Sequence, residues 1–445
     1  MITVIMAGGK GTRIQSIASD IPKPMIPIDG IPVLEREILS LQNQGFTDII
    51  ITISHLGSKI VDYFGDGSKF HVNIQYYNEE RPLGNAGALF KLKDRLTEPF
   101  LLLNADAIFD VDFNRFVSFH HSKGGLVTLF THPNNHPYDS GLIIADKQGR
   151  VEKWLTKEEE RPKYYRNRVN AGLHIINPIV LNQVDGSKVG ELDEETGKII
   201  KIDLDRQLLR PLSGTGKMVC YDSPEYVKDM GTPERFHQVE IDFTAGRVQA
   251  KNLSKKQKAV FLDRDGTINV YKGFIRDTDD FELIPGVADA IKAINASGYL
   301  AIVITNQPVI ARGEVTWDKL EEIHNKMETE LGMKEAYLDA IYFCPHHPHK
   351  GYIGEVAELK RECDCRKPKA GMFLKASKDF NIDLSQSYMI GDSENDIRAG
   401  IAAGCKSILV NGIGSNHQDG DFGQIDTVDS ISMFVKKYLN LHEGL

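Results

Sequence analysis

The sequence predicts an α/β protein with two three-layer domains, each a mainly parallel β-sheet covered by helices. Short runs rich in Val, Ile and Leu alternate with amphipathic helical patterns, which is typical of βαβ units. In each half, one such run leads directly into a polar loop that contains glycine, and ligands gather at this end of parallel strands. The 445 residues are too many for one hydrophobic core, so two or three domains are expected.

Composition and charge argue against several classes of protein. With 41% hydrophobic residues each domain can bury a core, and a net charge of -9 argues against a broad surface for nucleic acid or membrane. No apolar run approaches the roughly 20 residues of a membrane span. Met1 leads straight into a predicted strand and loop, so removal of a signal peptide would remove a predicted site. We therefore expect a cytoplasmic protein whose partners are small molecules. The composition is also compatible with a homo-oligomer.

The first predicted strand, Thr3 to Met6, leads into a loop whose glycines can bring backbone N–H groups against an oligophosphate. The arginine of this loop adds a planar cation, and the lysine of a following Pro-Lys-Pro segment adds a second one. Together they supply Gly8, Gly9, Gly11, Thr12, Arg13 and Lys23. The pattern is neither the P-loop nor the dinucleotide-binding fingerprint.

The next elements continue the alternation of helices and strands. The predictions are a helix at 32–44 and strands at 48–54, 72–77 and 100–103. Gly84 opens a further helix, with backbone that can approach a ligand. Asp106 follows a buried strand and is predicted to hold a metal beside the phosphates, with Asp229 as the second carboxylate.

These residues carry a resemblance to a known family. Residues 1 to 245 resemble the sugar-phosphate nucleotidyltransferases, which have a GT-A-like, Rossmann-related fold. The matching segments are Gly8-Gly9-x-Gly11-Thr12-Arg13, Pro22-Lys23-Pro24, Pro82-Leu83-Gly84, Asp106, Asn170-Ala171-Gly172 and Asp229-x-Gly231-Thr232-Pro233. The resemblance implies that the glycine loop, Arg13 and Gly84 bind a nucleoside triphosphate, which Lys23 helps to neutralise.

The same resemblance implies that Asp106 and Asp229 bind Mg²⁺, and that a sugar 1-phosphate attacks the α-phosphorus and releases pyrophosphate. Lys157 and Asn170 would contact the sugar phosphate. The family usually has Glu-Lys where Thr156-Lys157 stands, so the carboxylate of that pair is missing. The overall pattern is most similar to the heptose 1-phosphate guanylyltransferases, which implies GTP as the nucleotide.

A helix from Thr232 to Ala245 is predicted to close the first domain. Residues 246–258 are polar and lysine-rich and are interpreted as a linker. Its lysines are expected to be solvated, with a basic binding patch as the alternative; they are Lys251, Lys255, Lys256 and Lys258. The second domain is expected to span 259–445.

The second domain begins with a predicted buried strand, Val260 to Leu262, from which Asp263 and Asp265 leave on the same side. One carboxylate can attack phosphorus, and the other can pass a proton to the leaving oxygen. A helix at 285–296 and a strand at 299–304 follow.

Polar side chains later in the chain complete this candidate site. Thr305 and Asn306 can donate hydrogen bonds to a phosphate oxygen, and Lys367 can neutralise the charge of the phosphoryl group. Asp392 can complete the coordination shell of Mg²⁺. In this order the motifs resemble the haloacid dehalogenase superfamily over residues 258–435. The resemblance implies that Asp263 forms an aspartyl phosphate and that Asp265 acts as acid and then as base. Mg²⁺ would be bound by Asp263, Asp392 and the backbone carbonyl of Asp265.

A cluster of cysteine and histidine predicts a second metal. Cys-x-His and Cys-x-Cys supply three thiolates and an imidazole, which close a tetrahedral zinc shell; the predicted ligands are Cys344, His346, Cys363 and Cys365. His346 is preferred because its spacing mirrors Cys-x-Cys, and His347 and His349 are alternatives. A structural zinc would pin the loop 344–365, which ends beside Arg366 and Lys367.

The zinc loop narrows the resemblance to the branch that holds the heptose 1,7-bisphosphate 7-phosphatases and the histidinol-phosphate phosphatases. Thr305-Asn306-Gln307 followed by Ile310-Ala311-Arg312-Gly313 favours the heptose enzymes. Arg312 and Arg366 are candidates for binding the second, unreacted phosphate of the substrate.

The two resemblances together imply consecutive reactions. The second half would remove the 7-phosphate of D-glycero-D-manno-heptose 1,7-bisphosphate, and the first half would join heptose 1-phosphate to GTP to give GDP-heptose. One alternative is a mannose or glucose 1-phosphate nucleotidyltransferase joined to a histidinol-phosphate-type or other small phosphatase. Another is that one half is a non-catalytic module that binds a sugar nucleotide.

Overall fold

The computed structural model describes residues 1–9, 14, 20–411 and 425–439. The predictions for Gly11, Thr12 and Arg13 lie outside these residues. The chain forms two compact units: the first contains 1–131, 143–155 and 170–249, and the second contains 132–142, 156–169 and 250–445. The domain limits at residues 245 and 259 stay a prediction.

The first unit is built on a mixed β-sheet. The strands in this part of the chain, including those of two small two-stranded sheets, are β1 (Thr3–Met6), β2 (Pro27–Ile28), β3 (Ile31–Pro32), β4 (Asp48–Ile53), β5 (Asn73–Asn78), β6 (Phe100–Asn104), β7 (Ala107–Asp110), β8 (Val127–His132), β9 (Leu142–Ala145), β10 (Val151–Leu155), β11 (Val169–Ile176), β12 (Met218–Asp222) and β13 (Tyr226–Asp229). The helices in this part of the chain are α1 (Val33–Gln42), α2 (Gly57–Phe64), α3 (Gly87–Lys91), α4 (Phe113–Lys123), α5 (Pro233–Thr244) and α6 (Arg247–Ala250).

Strand β1 lies in the middle of this sheet, between β4 and β6, and all three run parallel. Strand β5 extends the parallel part beside β4, whereas β11 pairs antiparallel with β6. Strands β8 and β9 both pair with β11, β12 runs parallel to β8, and β10 lies beside β9. The carboxyl ends of β1 and β6 therefore reach the same edge of the sheet, where the predicted phosphate and metal residues begin.

Both faces of this sheet are buried. Val4 and Leu102 face one apolar cluster, which includes Leu89 of α3. Ile5 faces the other cluster, which includes Ile38 of α1. Successive residues of a strand point to opposite faces, so a continuous apolar run is what a sheet covered on both sides requires. The predicted three-layer α/β class is confirmed.

The second unit is built on a parallel β-sheet. Its strands are β14 (Ala259–Leu262), β15 (Leu300–Asn306), β16 (Ala340–Cys344), β17 (Tyr388–Gly391), β18 (Lys406–Val410) and β19 (Asp426–Val428). Its helices are α7 (Val287–Ala296), α8 (Trp317–Gly332), α9 (Gly371–Phe380), α10 (Glu394–Ala403) and α11 (Ile431–Tyr438).

Across the described residues the strand order of this sheet is β16-β15-β14-β17-β18-β19, and every pair is parallel. Leu262 packs with α7, α8 and α11 on one face, and Phe261 packs with α9 on the other. Strand β14 lies between β15 and β17, so their three carboxyl ends are neighbours. In the part of the chain that the structure describes, no helix combines the length and apolarity that a membrane crossing needs.

The expectation that Lys251 is solvated is wrong. Its side chain is 9% exposed, and its Nζ lies 3.3 Å from Oδ1 of Asp339, whose side chain is fully buried. The other carboxylate oxygen of Asp339 accepts a hydrogen bond of 2.7 Å from the N–H of Ala301 in β15. Composition alone placed Lys251 with its lysine neighbours, whereas a buried carboxylate far along the chain determines its position.

We expect Lys251→Met to lower the free energy of unfolding of the second unit by about 3 kcal/mol, because the buried carboxylate of Asp339 would lose its cation. Thermal unfolding measures this change. The exposed Lys256 provides the control, since Lys256→Met should alter stability by less than about 0.5 kcal/mol. Equal losses in both variants would contradict the assignment of the ion pair as a stabilising contact.

Candidate active sites

Lys23 and Asp106 form the centre of the candidate site in the first unit. A one-turn helix, Lys23–Met25, holds the lysine, and Asp106 follows β6. Lys23 Nζ lies 2.7 Å from Asp106 Oδ2; the lysine side chain is 9% exposed and the aspartate side chain 42%. The ion pair therefore joins two predicted site residues and leaves the carboxylate accessible from solvent.

Asp229 lies beside Asp106. Strands β13 and β7 pair antiparallel with Asp229 opposite Ala107, and the N–H of Met230 donates to the carbonyl oxygen of Asp106 at 2.9 Å. Arg235 Nη1 donates to both carboxylate oxygens of Asp229, at 2.9 and 2.7 Å. The sequence analysis did not predict this arginine, although its place in the first turns of α5, just after Asp229, is a usable signal.

The glycines of the predicted nucleotide site differ in how much space a side chain would have there. A Cβ at Gly84, where φ is +86°, would lie 2.4 Å from the carbonyl oxygen of Ile202, so packing requires this glycine. A Cβ at Gly8 would lie 2.9 Å from Glu79 Oε1. Among the described residues, nothing lies within 4 Å of a Cβ built at Gly9.

Asn170 is partly buried in β11, the strand that pairs with β6. Its Oδ1 accepts a hydrogen bond of 3.2 Å from the N–H of Gly172 and lies 3.1 Å from Nε2 of His174. Lys157 is exposed and belongs to the segment 156–169, which groups with the second unit. The two predicted sugar-phosphate contacts therefore belong to different units.

In the second unit, a lysine and three carboxylates meet at the carboxyl ends of β14 and β17. Oxygens of Asp263, Asp392 and Asp396 lie within 4.8 Å of one another. Lys367 Nζ lies 2.7 Å from Asp263 Oδ1 and 2.5 Å from Asp396 Oδ1. It also donates to the carbonyl oxygen of Ile304 at 2.8 Å. The structure thus brings together Asp263, Lys367 and Asp392, which lie far apart in the sequence.

Burial and neighbouring charge shift the pKa values in this cluster. Desolvation, with Asp396 as the next cause, raises the pKa of Asp263 to about 8. Burial alone would lower the pKa of Lys367, but Asp263 and Asp396 outweigh it and raise that pKa. The other oxygen of Asp396 accepts hydrogen bonds from the N–H and hydroxyl of Ser393, at 3.1 and 2.6 Å. The cluster therefore holds more negative charge than one lysine balances, which fits a divalent cation.

Asp265 is held by three side chains. Arg264 donates to both carboxylate oxygens from Nη2, at 2.7 Å each, and from Nε at 3.0 Å. Gln307 Nε2 donates at 2.9 Å and Asn269 Nδ2 at 3.2 Å. The Arg264 side chain is fully buried, with Nη1 3.4 Å from Nε2 of His324. Arg264 was not among the predicted site residues, although an arginine between two aspartates is a signal that the sequence carries.

The predicted phosphate-binding residues have partners of their own. Thr305 is 1% exposed, and its hydroxyl accepts from Gln307 Nε2 at 3.0 Å. The amide of Asn306 bonds the backbone of Lys367 on both sides, accepting from its N–H at 3.0 Å and donating to its carbonyl at 3.1 Å. In this arrangement Asn306 orients the lysine that follows the cysteine cluster.

The two arginines predicted to hold a second phosphate are also positioned by contacts. Arg312 Nε lies 2.7 Å from Glu314 Oε1, and the guanidinium stacks over Phe274 and Tyr352, at 4.5 and 4.3 Å from the ring centroids. Arg366 Nη1 donates to the carbonyl oxygen of His346 at 3.1 Å. One arginine is thus fixed between aromatic rings and the other against the cysteine cluster.

Three cysteines and a histidine converge as the spacing predicted. Sγ of Cys344, Cys363 and Cys365 lie 3.3–3.5 Å apart, and Nδ1 of His346 lies 3.3 Å from Cys365 and 3.7 Å from Cys344. Ligands at about 2.3 Å around a tetrahedral zinc ion are separated by roughly these distances. The alternative ligand His347 instead faces the carbonyl oxygen of His349, 3.2 Å from Nδ1.

The chemistry of this donor set fits zinc. Burial raises the pKa of the Cys344 thiol, so a positive ion is what would hold its sulfur as a thiolate at neutral pH. All four residues lie within reach of one ion. The cluster comes directly before Arg366 and Lys367, so an ion there would also fix the start of the segment that carries Lys367.

Two family profiles match the chain. Residues 2–245 match the nucleotidyl transferase family, and residues 364–429 match the HAD-hydrolase-like family. A segment of 151 residues is 45% identical to the D-glycero-beta-D-manno-heptose-1,7-bisphosphate 7-phosphatase of Escherichia coli O6:H1 (strain CFT073), covering 34% of this chain and 77% of that protein. The enzyme of the same name from Haemophilus ducreyi is 47% identical over 154 residues, covering 34% of this chain and 81% of that protein.

Among solved structures, HddC from Yersinia pseudotuberculosis is similar to 54% of this chain and 99% of its own. The sequence identity is 23% and the TM-score 0.45.

Gly266→Ala should abolish phosphate-ester hydrolysis by the second unit. The residue has φ +82°, and a Cβ there would lie 1.8 Å from Asp392 Oδ2, so the carboxylate cluster could not keep its arrangement. Hydrolysis is measured by phosphate release. Gly273→Ala is the matched control, because it has φ +74° with nothing within 4 Å and carries the cost of the backbone conformation alone. Similar activity in both variants would show that the contact with Asp392 is unimportant.

Proposed function

Because the chain belongs to the nucleotidyl transferase family, through residues 2–245, and to the family of the heptose-bisphosphate phosphatases, we propose that it catalyses two consecutive steps of heptose activation. The second unit would hydrolyse the 7-phosphate of D-glycero-D-manno-heptose 1,7-bisphosphate. The first unit would transfer a nucleotidyl group, GMP from GTP, to heptose 1-phosphate and release pyrophosphate. Heptose 1-phosphate, the product of hydrolysis by the second unit, would be the substrate for transfer by the first unit. The two domains of the chain would therefore catalyse successive steps.

One observation carries the phosphatase half of the proposal: Lys367 lies between Asp263 and Asp396, beside Asp392. In our proposal, Asp263 attacks the phosphorus of the 7-phosphate, and the sugar oxygen leaves as the phosphoryl group moves to the carboxylate. Asp265 gives that oxygen its proton and then takes a proton from the water that hydrolyses the aspartyl phosphate. Lys367 offsets the negative charge of the transferring group.

Metal binding at both sites is part of the proposal. Asp263 and Asp392, with the backbone carbonyl of Asp265, would hold Mg²⁺ in the second unit, and Asp106 and Asp229 would hold it in the first. Bound Mg²⁺ would supply positive charge against phosphate oxygens. In the first unit, Lys23 pairs with Asp106 and Arg235 with Asp229, so each carboxylate already has one cation that offsets its charge.

The transferase half rests on positioning rather than on a covalent intermediate. The glycine loop and Gly84 would orient the triphosphate; its members are Gly8, Gly9, Gly11, Thr12 and Arg13. Lys23 would neutralise the phosphates, and Asn170 would contact the sugar phosphate. We place the enzyme in the cytoplasm, where nucleoside triphosphates and sugar phosphates are available.

The test is turnover of the heptose 1,7-bisphosphate with ATP, GTP, CTP or UTP, reading phosphate and pyrophosphate separately. We expect phosphate release with all four mixtures and pyrophosphate mainly with GTP. Asp263→Asn should lower phosphate release by at least about a thousandfold, since the nucleophile is lost, and leave transfer to added heptose 1-phosphate unchanged. No phosphate from the wild-type protein would refute the phosphatase assignment. No pyrophosphate with any nucleotide would refute the transferase assignment.

The cysteine cluster would have a structural role in the phosphatase. Cys363→Ser should remove bound zinc and reduce kcat of phosphate release by about tenfold or more, because the segment leading to Lys367 loses its anchor. Metal content per chain and kcat are measured together. Cys405→Ser, at a buried cysteine outside the cluster, is the control and should keep zinc. Zinc-free wild-type protein with full phosphatase activity would rule out this role.

A further inference from the structure

His174 is a buried histidine that the proposed reaction does not use. It lies in β11 and is 2% exposed, with Nε2 3.1 Å from Oδ1 of Asn170. Its other ring nitrogen, Nδ1, has no hydrogen-bond partner among the described residues. A buried nitrogen without a partner is unfavourable for folding. The bond to Asn170 is the one polar contact of this ring in the described part of the chain. Because stability does not explain a buried histidine with one unpaired nitrogen, this bond points to a functional role.

The protonation of His174 follows from its surroundings. Desolvation lowers the pKa of His174 to about 3, so the ring is neutral at physiological pH and carries one hydrogen. The N–H of Gly172 points to the same atom of Asn170, 3.2 Å away, and a backbone N–H can only donate. That atom is therefore the amide oxygen, and Nε2 of His174 must carry the hydrogen that it accepts.

This bond fixes which way the Asn170 amide faces. Its oxygen is occupied by two donors, which leaves Nδ2 with its two hydrogens directed away from His174. No partner of Nδ2 lies among the described residues, and the side chain is partly exposed. The orientation of the amide is thus set by His174 and Gly172, and its two donor hydrogens lie on the side away from the oxygen.

The strand register brings this donor to the candidate transferase site. Strands β11 and β6 pair antiparallel, with His174 opposite Leu102. Further along, a Cβ at Gly172 would lie 2.9 Å from Nδ2 of Asn104, the last residue of β6. Asn170 is two residues beyond Gly172, in the direction that β6 takes toward Asp106.

We propose that His174 is a positioning residue for the transferase reaction, holding the Asn170 amide so that Nδ2 donates to an acceptor oxygen of the sugar 1-phosphate. The inference rests on the proposed function of the first unit. Without the histidine N–H, only the N–H of Gly172 still holds the oxygen, so the amide turns more easily and exposes its oxygen, which repels the oxygens of a phosphate. The histidine would then affect binding of the sugar phosphate and not binding of the nucleotide.

Steady-state kinetics of His174→Phe with heptose 1-phosphate and GTP tests this role. The KM for heptose 1-phosphate should rise about five- to tenfold, the effect of one lost hydrogen bond, while the KM for GTP stays within about twofold. His174→Gln places an N–H group at the reach of Nε2 and should restore the KM to within about threefold of the wild type.

His120→Phe is the matched control. His120 is also buried, at 4% exposure, and bonds one side chain, with Nδ1 2.8 Å from Thr128 Oγ1. Its loss should leave both KM values unchanged. Equal effects of His120→Phe and His174→Phe, or a rise in both KM values of His174→Phe, would overturn the inference.

A second measurement does not depend on turnover. The ¹⁵N spectrum of the His174 ring, assigned by its absence in His174→Phe, should show a hydrogen on Nε2 and a bare Nδ1. The other tautomer would overturn the inference even in an inactive protein. Absence of pyrophosphate from the wild type, together with the expected tautomer, would refute the proposed function while the orientation of Asn170 stands.

Discussion

The contact of Lys367 with Asp263 and Asp396 is the interaction on which the second unit's site depends. Three aspartates converge in a buried space, where uncompensated carboxylates would repel each other strongly. The ammonium lies 2.7 and 2.5 Å from two of them and makes this arrangement possible. A parallel sheet supplies the geometry, since neighbouring strands end at one edge, but the charge balance determines whether those ends can be acidic.

The position of Lys367 depends in turn on a second layer of contacts. The amide of Asn306 bonds its backbone on both sides, and Cys365 comes two residues before it. The cluster of three thiols and His346 is therefore connected through the chain itself to the lysine that contacts Asp263. A metal there would act on the phosphatase by holding a loop in place, without touching the reacting atoms.

The first unit solves the same electrostatic problem with separate partners. Lys23 pairs with Asp106, and Arg235 pairs with Asp229, so each carboxylate has its own cation. In both units, neighbouring side chains determine how residues of the candidate site are oriented. Arg264 does so for Asp265, and His174 does so for Asn170.

The three-layer fold, the carboxylates after the strands and the preference for His346 could be predicted from the residues alone, because apolar periodicity, strand–loop motifs and metal-ligand spacing are local properties. The sequence also predicted that distant residues such as Asp263, Lys367 and Asp392 would meet. Tertiary structure alone decided the burial of Lys251 against Asp339, the clamp of Arg264 on Asp265 and the pairing of Arg235 with Asp229. These three ion pairs depend on which charged side chains become buried beside each other. Burial results from the packing of elements that are distant in the sequence, so no single stretch of residues reveals it.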